Sequence, residues 1–276
     1  MRMSFIGAGN LAEAMIYALV DKLNIRDISV MDKNEGQYER YAGLALDYIY
    51  NYDLRAALSG DIIFLLVKPG DFAGLLQDIK NLGIDLGGKI FVSTAAGVSM
   101  GYIREQIGQD IKIVRVMPNT PVFCGRGMTA LCSNAGSADF ERVCEIFRAM
   151  GEIITLPEER MNDIIAVNGS SPAYIYLFAE AMLEGAAELG FDRREIYPVI
   201  LQSLAGALDM LISSGKTPGE LIRAVASPGG TTERALESFR ADDFTGTVRK
   251  AMRECAARAE QIARGFAPNN AVNLGN

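Results

Sequence analysis

Two glycine-bearing segments far apart in the chain have the residue types that hold anions. The first, Gly7-Ala8-Gly9-Asn10-Leu11-Ala12, has the spacing G-x-G-x-x-G/A and lies between an apolar run, Met3 to Ile6, and an amphipathic stretch, Leu11 to Lys22. In such a turn one glycine permits the tight bend and the next lets backbone approach a pyrophosphate, while the alanine allows close helix-on-strand packing. The start of the helix adds N–H donors that have no partner within it. Asp32 follows Ala12 by 20 positions, where a carboxylate binds the ribose 2′-hydroxyl of NAD. Lys33 and Asn34 suit a 2′-phosphate if Asp32 turns away, so the pattern expects NADP or NAD without choosing between them. The plainer alternative is a structural glycine turn in which Asp32 caps the next bend.

The second segment, Ser227-Pro228-Gly229-Gly230-Thr231-Thr232, joins paired glycines to two hydroxyls at the start of a helix. Thr231 or Thr232 is expected to cap that helix, and the N–H groups and hydroxyls suit a carboxylate. A capped loop without a ligand is the alternative here too. Asn168-Gly169-Ser170-Ser171-Pro172-Ala173-Tyr174 opens another helix, with Ser171 read as its cap and Pro172 at its first position. The chain has no histidine, which removes imidazole acid–base chemistry, Ser-His-Asp and Cys-His nucleophiles and HExxH zinc sites. Cys124, Cys132, Cys144 and Cys255 form no C-x-x-C pair, so reduced thiols and no metal site are expected.

The elements that position these residues fall into two halves. Short apolar runs at Met3 to Ile6, Ile28 to Met31, Ile62 to Val67, Lys89 to Ser93 and Ile113 to Met117 alternate with amphipathic stretches, the βαβ rhythm of a parallel sheet. Met128 to Cys132 and Ile153 to Leu156 complete it. Helical patterns follow over Glu159 to Ile165, Pro172 to Leu189, Arg193 to Ser213, Thr217 to Val225, Thr232 to Ser238 and Phe244 to Arg264. This predicts an α/β dinucleotide-binding domain over residues 1–157 and an all-helical domain over 158–276, with a frayed tail from Ala267 to Asn276. The helix from Pro172 is apolar almost all round, which requires cover from a partner subunit or from the sheet domain.

With 276 residues, 49% of them hydrophobic and 22% charged, the chain can bury a large core. A net charge of −7 leaves no basic surplus for nucleic acid or an anionic membrane surface. The uninterrupted apolar runs are strand-sized, so no bilayer span is expected. No cleavable leader pattern opens the chain, and a cytoplasmic protein acting on a small molecule is the expectation.

In their order and spacing, six fragments resemble the pyrroline-5-carboxylate reductase family over nearly the whole chain. They are Gly7-Ala8-Gly9-Asn10-Leu11-Ala12, Val67-Lys68-Pro69, Ala95-Ala96-Gly97-Val98, Met117-Pro118-Asn119-Thr120-Pro121, Gly169 to Tyr174, and Ser227 to Thr232. The resemblance implies an N-terminal Rossmann domain binding NAD(P)H and a helical C-terminal domain that interlocks with a second subunit, the dimers assembling further into decamers. It implies reduction of the cyclic imine 1-pyrroline-5-carboxylate to L-proline, the last step of proline biosynthesis. Carried over by motif, the cofactor is bordered by Gly7, Gly9, Asn10, Leu11, Asp32, Lys33, Val67, Lys68, Pro69, Ala95, Ala96, Met117, Pro118 and Asn119. Ser171, Ser227, Gly229 and Gly230 hold substrate, and Thr231 and Thr232 serve the reacting ring. Asn168 stands where a small serine is more usual in the family, and Asp32-Lys33 departs from its usual pattern for the phosphorylated cofactor.

The residue inventory suits this chemistry. A protonated cyclic imine is already electrophilic, so its reduction needs positioning rather than a strong protein base. Hydroxyacid dehydrogenases of the 6-phosphogluconate type share the two-domain plan but use a lysine on the interdomain helix, and no lysine lies between Gly151 and Gly215. Reduction of a related cyclic imine, and a nucleotide sensor without turnover, are the two other readings.

Overall fold

The structure is a computed structural model that describes residues 1–266; the tail expected to fray, Ala267 to Asn276, lies outside the described residues. Among the described residues eight strands form one sheet in the order β3-β2-β1-β4-β5-β6-β7-β8. They are β1 (Met3–Ile6), β2 (Ile28–Met31), β3 (Asp47–Ile49), β4 (Ile62–Leu65), β5 (Ile90–Ser93), β6 (Lys112–Pro118), β7 (Gly127–Ser133) and β8 (Gly151–Thr155). All neighbouring pairs are parallel except β6 with β7.

The helices between strands are α1 (Asn10–Lys22), α2 (Leu54–Ala57), α3 (Pro69–Asn81), α4 (Met100–Ile107) and α5 (Ser137–Arg148). Apolar side chains of one strand alternate between two cores. Ile63 and Leu65 of β4 join Phe72, Leu76 and Ile103 on one face, while Ile62 and Phe64 join Phe5, Met15 and Ile16 on the other. Burial on both faces explains why these strands read as continuous apolar runs. Strand β3 carries Asp47 and Tyr48 beside a single buried Ile49, a pattern too short and polar to mark it in the sequence.

The remaining helices are α6 (Ser171–Glu188), α7 (Arg193–Ser213), α8 (Pro218–Val225), α9 (Thr231–Ala241) and α10 (Phe244–Arg264). By packing, the described residues form one unit from 1–170 and 255–266 and another from 171–254. Within the second, α6 packs on α7, Arg193 pairs with Glu180 at 2.6 Å, and Phe244 meets both Phe178 and Phe239. Thr217 and Glu220 close a reciprocal cap on α8.

Three local expectations are corrected. Glu159 to Ile165 is not an α-helix: a 3₁₀ turn spans Glu158–Arg160 and a π-helical turn spans Ile165–Gly169. Glu158 instead turns its carboxylate onto the Met100 N–H, a long-range bond that a helical period does not signal. Ser171 is the first residue of α6 rather than its cap, because the chain enters that helix directly from the π turn. The residue capping α9 is Gly230, in extended backbone, and no threonine hydroxyl does so.

Helix α7 is 21 residues long with a mean hydropathy of 1.5 over its most apolar window, enough by length and composition to cross a membrane. Gln202, Ser203 and Asp209 interrupt its apolar run, so no uninterrupted span-length stretch marks it in the sequence. Little of α6 or α7 is buried in the single chain: Leu183 and Ile200 are, whereas Leu177 and Ile212 are 72% and 74% exposed.

Candidate functional site

The strand order reverses at β1, with β2 and β3 to one side and β4 to β6 on the other, so a crevice opens beyond the carboxyl ends of these parallel strands. The first glycine loop leaves β1 at this point. The Gly7 N–H donates to the Met31 carbonyl, and the Leu66 N–H donates to the Ile6 carbonyl, both at 2.8 Å. Gly7 has φ +108° and lies so close to β4 that a Cβ there would stand 2.8 Å from the Leu66 carbonyl carbon and oxygen. A side chain is excluded twice over, by conformation and by space. Gly9 is different: its Cβ would meet nothing within 4 Å, and α1 starts after it without a side-chain cap. Open space over uncapped N–H donors is the cradle a pyrophosphate needs, so these residues fit a dinucleotide.

Gly7, Gly9, Asp32, Lys33, Val67 and Lys68 line one cavity of about 360 Å³ beside this loop. Asn10 and Leu11 begin α1, Pro69 begins α3, Ala95 and Ala96 follow β5, and Met117, Pro118 and Asn119 close β6. These lie along the same sheet edge but outside that cavity's lining. The cavity also takes in Gln37, Tyr52 and Asp71, which sequence reasoning missed because they follow no motif. Tyr52 is carried there by a left-handed turn, Asn51 and Tyr52 having φ +56° and +53°. Its hydroxyl donates to Asp78, and burial, reinforced by the Asp78 carboxylate, pushes its pKa up to about 12.

The end of β6 is held by an amide bridge. Asn168 is 5% exposed and donates to the carbonyls of Met117 (3.0 Å) and Met128 (2.9 Å). Its side-chain oxygen accepts from the Asn119 amide at 2.9 Å, and the Asn119 oxygen accepts from the Met128 N–H. The wider π turn aims Asn168 at this strand end. Asn168→Ala removes the bonds to Met117, Met128 and Asn119, of which the one to the Met117 carbonyl is buried, and is expected to cost about 1–3 kcal/mol. Thermal unfolding checks it, an unchanged Tm showing the bridge to be dispensable.

Further along β6, the buried Arg115 donates to Asn162 at 2.6 Å and pairs with Glu158 at 3.6 Å. Asn162 in turn donates to Glu260 of α10. Desolvation lowers the Arg115 pKa, and Glu158 works against that shift. The end of α10 also covers the turn after β5, where a Cβ on Gly97 would stand 2.9 Å from the Ala263 nitrogen.

In the second unit, Gly229 has φ +71° and its N–H donates to the Glu233 carboxylate at 2.7 Å. The Gly230 N–H donates to the Ser227 carbonyl, and a Cβ on Gly230 would collide with the Ser227 Oγ at 2.6 Å. This tight bend keeps Ser227, Gly229, Gly230, Thr231 and Thr232 together, with Ser227, Gly229 and Thr231 exposed. Because Gly230 caps α9, both threonine hydroxyls stay available to a ligand. Ser171 lies apart in sequence, at the start of α6.

Comparison with known proteins covers both halves. A family model for pyrroline-5-carboxylate reductase dimerisation matches residues 158–262, and one for NADP oxidoreductase, coenzyme F420-dependent, matches 2–97. The chain is 32% identical over 272 residues to the pyrroline-5-carboxylate reductase of Escherichia coli K12, covering 95% of this chain and 98% of that protein. It is 33% identical over 267 residues to that of Pseudomonas aeruginosa, covering 95% and 97%. A crystal structure of Plasmodium falciparum pyrroline carboxylate reductase with NADP bound superposes with a TM-score of 0.85 at 28% identity, covering 95% of this chain and 98% of that one.

Proposed function

This chain belongs to the pyrroline-5-carboxylate reductase family, and from that premise we propose that it reduces 1-pyrroline-5-carboxylate to L-proline, the closing step of proline biosynthesis. It is an NAD(P)H-dependent oxidoreductase acting on a C=N bond. The observation that carries this is the end-to-end match at 32% identity, which spans both glycine loops.

The bound cofactor supplies a hydride to the imine carbon. The first unit binds it: the α1 N–H groups beyond Gly9 face the pyrophosphate, and Asp32 and Lys33 meet the adenosine ribose. Val67, Lys68, Pro69, Ala95, Ala96, Met117, Pro118 and Asn119 border the remainder along the sheet edge. In the second unit Ser227, Gly229 and Gly230, with Ser171, hold the substrate carboxylate. Thr231 or Thr232 accepts a hydrogen bond from the protonated ring nitrogen and so fixes the ring's orientation, and a histidine-free chain suffices for such a step. The uncapped hydroxyls and the open Gly9 face support these assignments. We take residues 1–157 as the cofactor domain and 158–276 as the substrate and subunit domain.

The assay is oxidation of NADH and NADPH, followed by nicotinamide absorbance, on 1-pyrroline-5-carboxylate and on its six-membered homologue. Turnover on the five-membered imine is expected. Silence on both with normal nucleotide binding would instead favour a sensor.

The chain forms oligomers through its dimerisation domain and acts on a small molecule. We assign a homodimer, built further into decamers, whose partner covers the apolar surface of α6 and α7; α7 is read as a subunit face, not a bilayer span. Light scattering is expected to give a multiple of the 29.9 kDa chain mass. A mass of one chain at every concentration would remove this assignment. No nucleic-acid partner suits a net charge of −7, and four free thiols suit a reducing cytoplasm.

A further inference from the structure

The contacts of Asp32 separate the two nicotinamide cofactors. One oxygen of its carboxylate accepts the Ala8 N–H at 2.7 Å, and the other accepts the Asn34 N–H at 2.8 Å. The first bond anchors the side chain to the glycine loop, between Gly7 and Gly9; the second closes the bend after β2. Turning the carboxylate away from the ribose site would break both. Each oxygen keeps a lone pair for a hydroxyl donor, which a ribose 2′-OH supplies and a phosphate oxygen does not. A 2′-phosphate would also bring roughly −1.5 to −2 charges against a fixed negative group.

Compensating cations are few. The Lys33 ammonium sits 5.1 Å over the Tyr52 ring. Arg40 bonds the cavity residue Gln37 through Nε at 2.7 Å, its Nη1 goes to Asn10 at 2.8 Å and Glu13 at 2.9 Å, and the Glu13 carboxylate offsets its charge. Lys33 thus stands beside an anchored carboxylate, and Lys68, after β4, is the other lysine in the cavity lining.

We propose that this chain selects NADH over NADPH, through an Asp32 carboxylate clamped by the Ala8 and Asn34 N–H groups so that it accepts a ribose hydroxyl and repels a phosphate. The proposal rests on the nucleotide site assigned above.

The test is direct binding of NADH and NADPH to the full-length protein by isothermal titration, without imine, on wild type, Asp32→Ser and Asp32→Ser/Lys33→Ala. Wild type should bind NADH at least about tenfold more tightly, equivalent to ~1.4 kcal/mol. Asp32→Ser should move the ratio toward NADPH by a similar factor, and adding Lys33→Ala should remove that gain. Equal or tighter NADPH binding by wild type overturns the proposal whether or not the variants fold. So does an unchanged ratio in a folded Asp32→Ser protein. If neither nucleotide binds, the nucleotide site itself is misassigned and the proposal falls with it. NADH-selective binding without imine turnover would uphold the selectivity and sink only the assigned reaction.

Discussion

Replacing both Thr231 and Thr232 with alanine is expected to lower kcat on 1-pyrroline-5-carboxylate by about 10²-fold or more, with nucleotide affinity unchanged. The magnitude follows from losing the contact that orients the ring, since misplacing a reacting group by about 1 Å can cost 10²-fold. The fold should survive. Gly230 caps α9 and the Gly229 N–H is held by Glu233, so neither hydroxyl supports the helix. Alanine is also a better helix former than threonine. Steady-state kinetics on both imines, a melting curve and nucleotide titration together check this. Unchanged kcat in the double variant would move the ring-nitrogen contact to another group.

The second expectation sets two glycines of one loop against each other. Gly7→Ala should destabilise the protein, because φ +108° is unfavourable for a residue with a Cβ and that Cβ would press on the Leu66 carbonyl at 2.8 Å. Strain of this kind costs about 1–3 kcal/mol before the steric contact is added. Gly9→Ala should leave stability within about 0.5 kcal/mol: its φ is −77° and its Cβ meets nothing within 4 Å. Yet that methyl would enter the space assigned to the pyrophosphate. Overpacking there by about 1–3 kcal/mol weakens binding roughly ten- to hundredfold. Thermal unfolding without ligand and titration with nucleotide separate the two effects. Full NAD(P)H affinity in Gly9→Ala would refute the assigned cradle.

Much of the fold is legible because its signals are local. A parallel strand buried on both faces appears as a run such as Ile62 to Leu65, and a helix start such as Thr217-Pro218 with Glu220 carries its own cap. The elements missed or misjudged, β3 and the segment from Glu158 to Gly169, have no period of their own; they take shape from partners elsewhere in the chain. Glu158 reaches Met100, 58 positions away, and Asn168 reaches Asn119, 49 positions away.

The amino-acid sequence by itself determined two glycine loops of anion-binding type, a histidine-free inventory suited to an activated imine, and the division into sheet and helices. These depend on backbone freedom, side-chain chemistry and hydrophobic period within some twenty residues. Only the tertiary structure decided the rest. It brought Gln37 and Tyr52 into the cavity, clamped Asp32 between Ala8 and Asn34, made Asn168 a bridge across the end of β6, and gave the α9 cap to Gly230. Such contacts follow from strand order and register, which set the neighbours of residues far apart in the chain and leave no local trace in it.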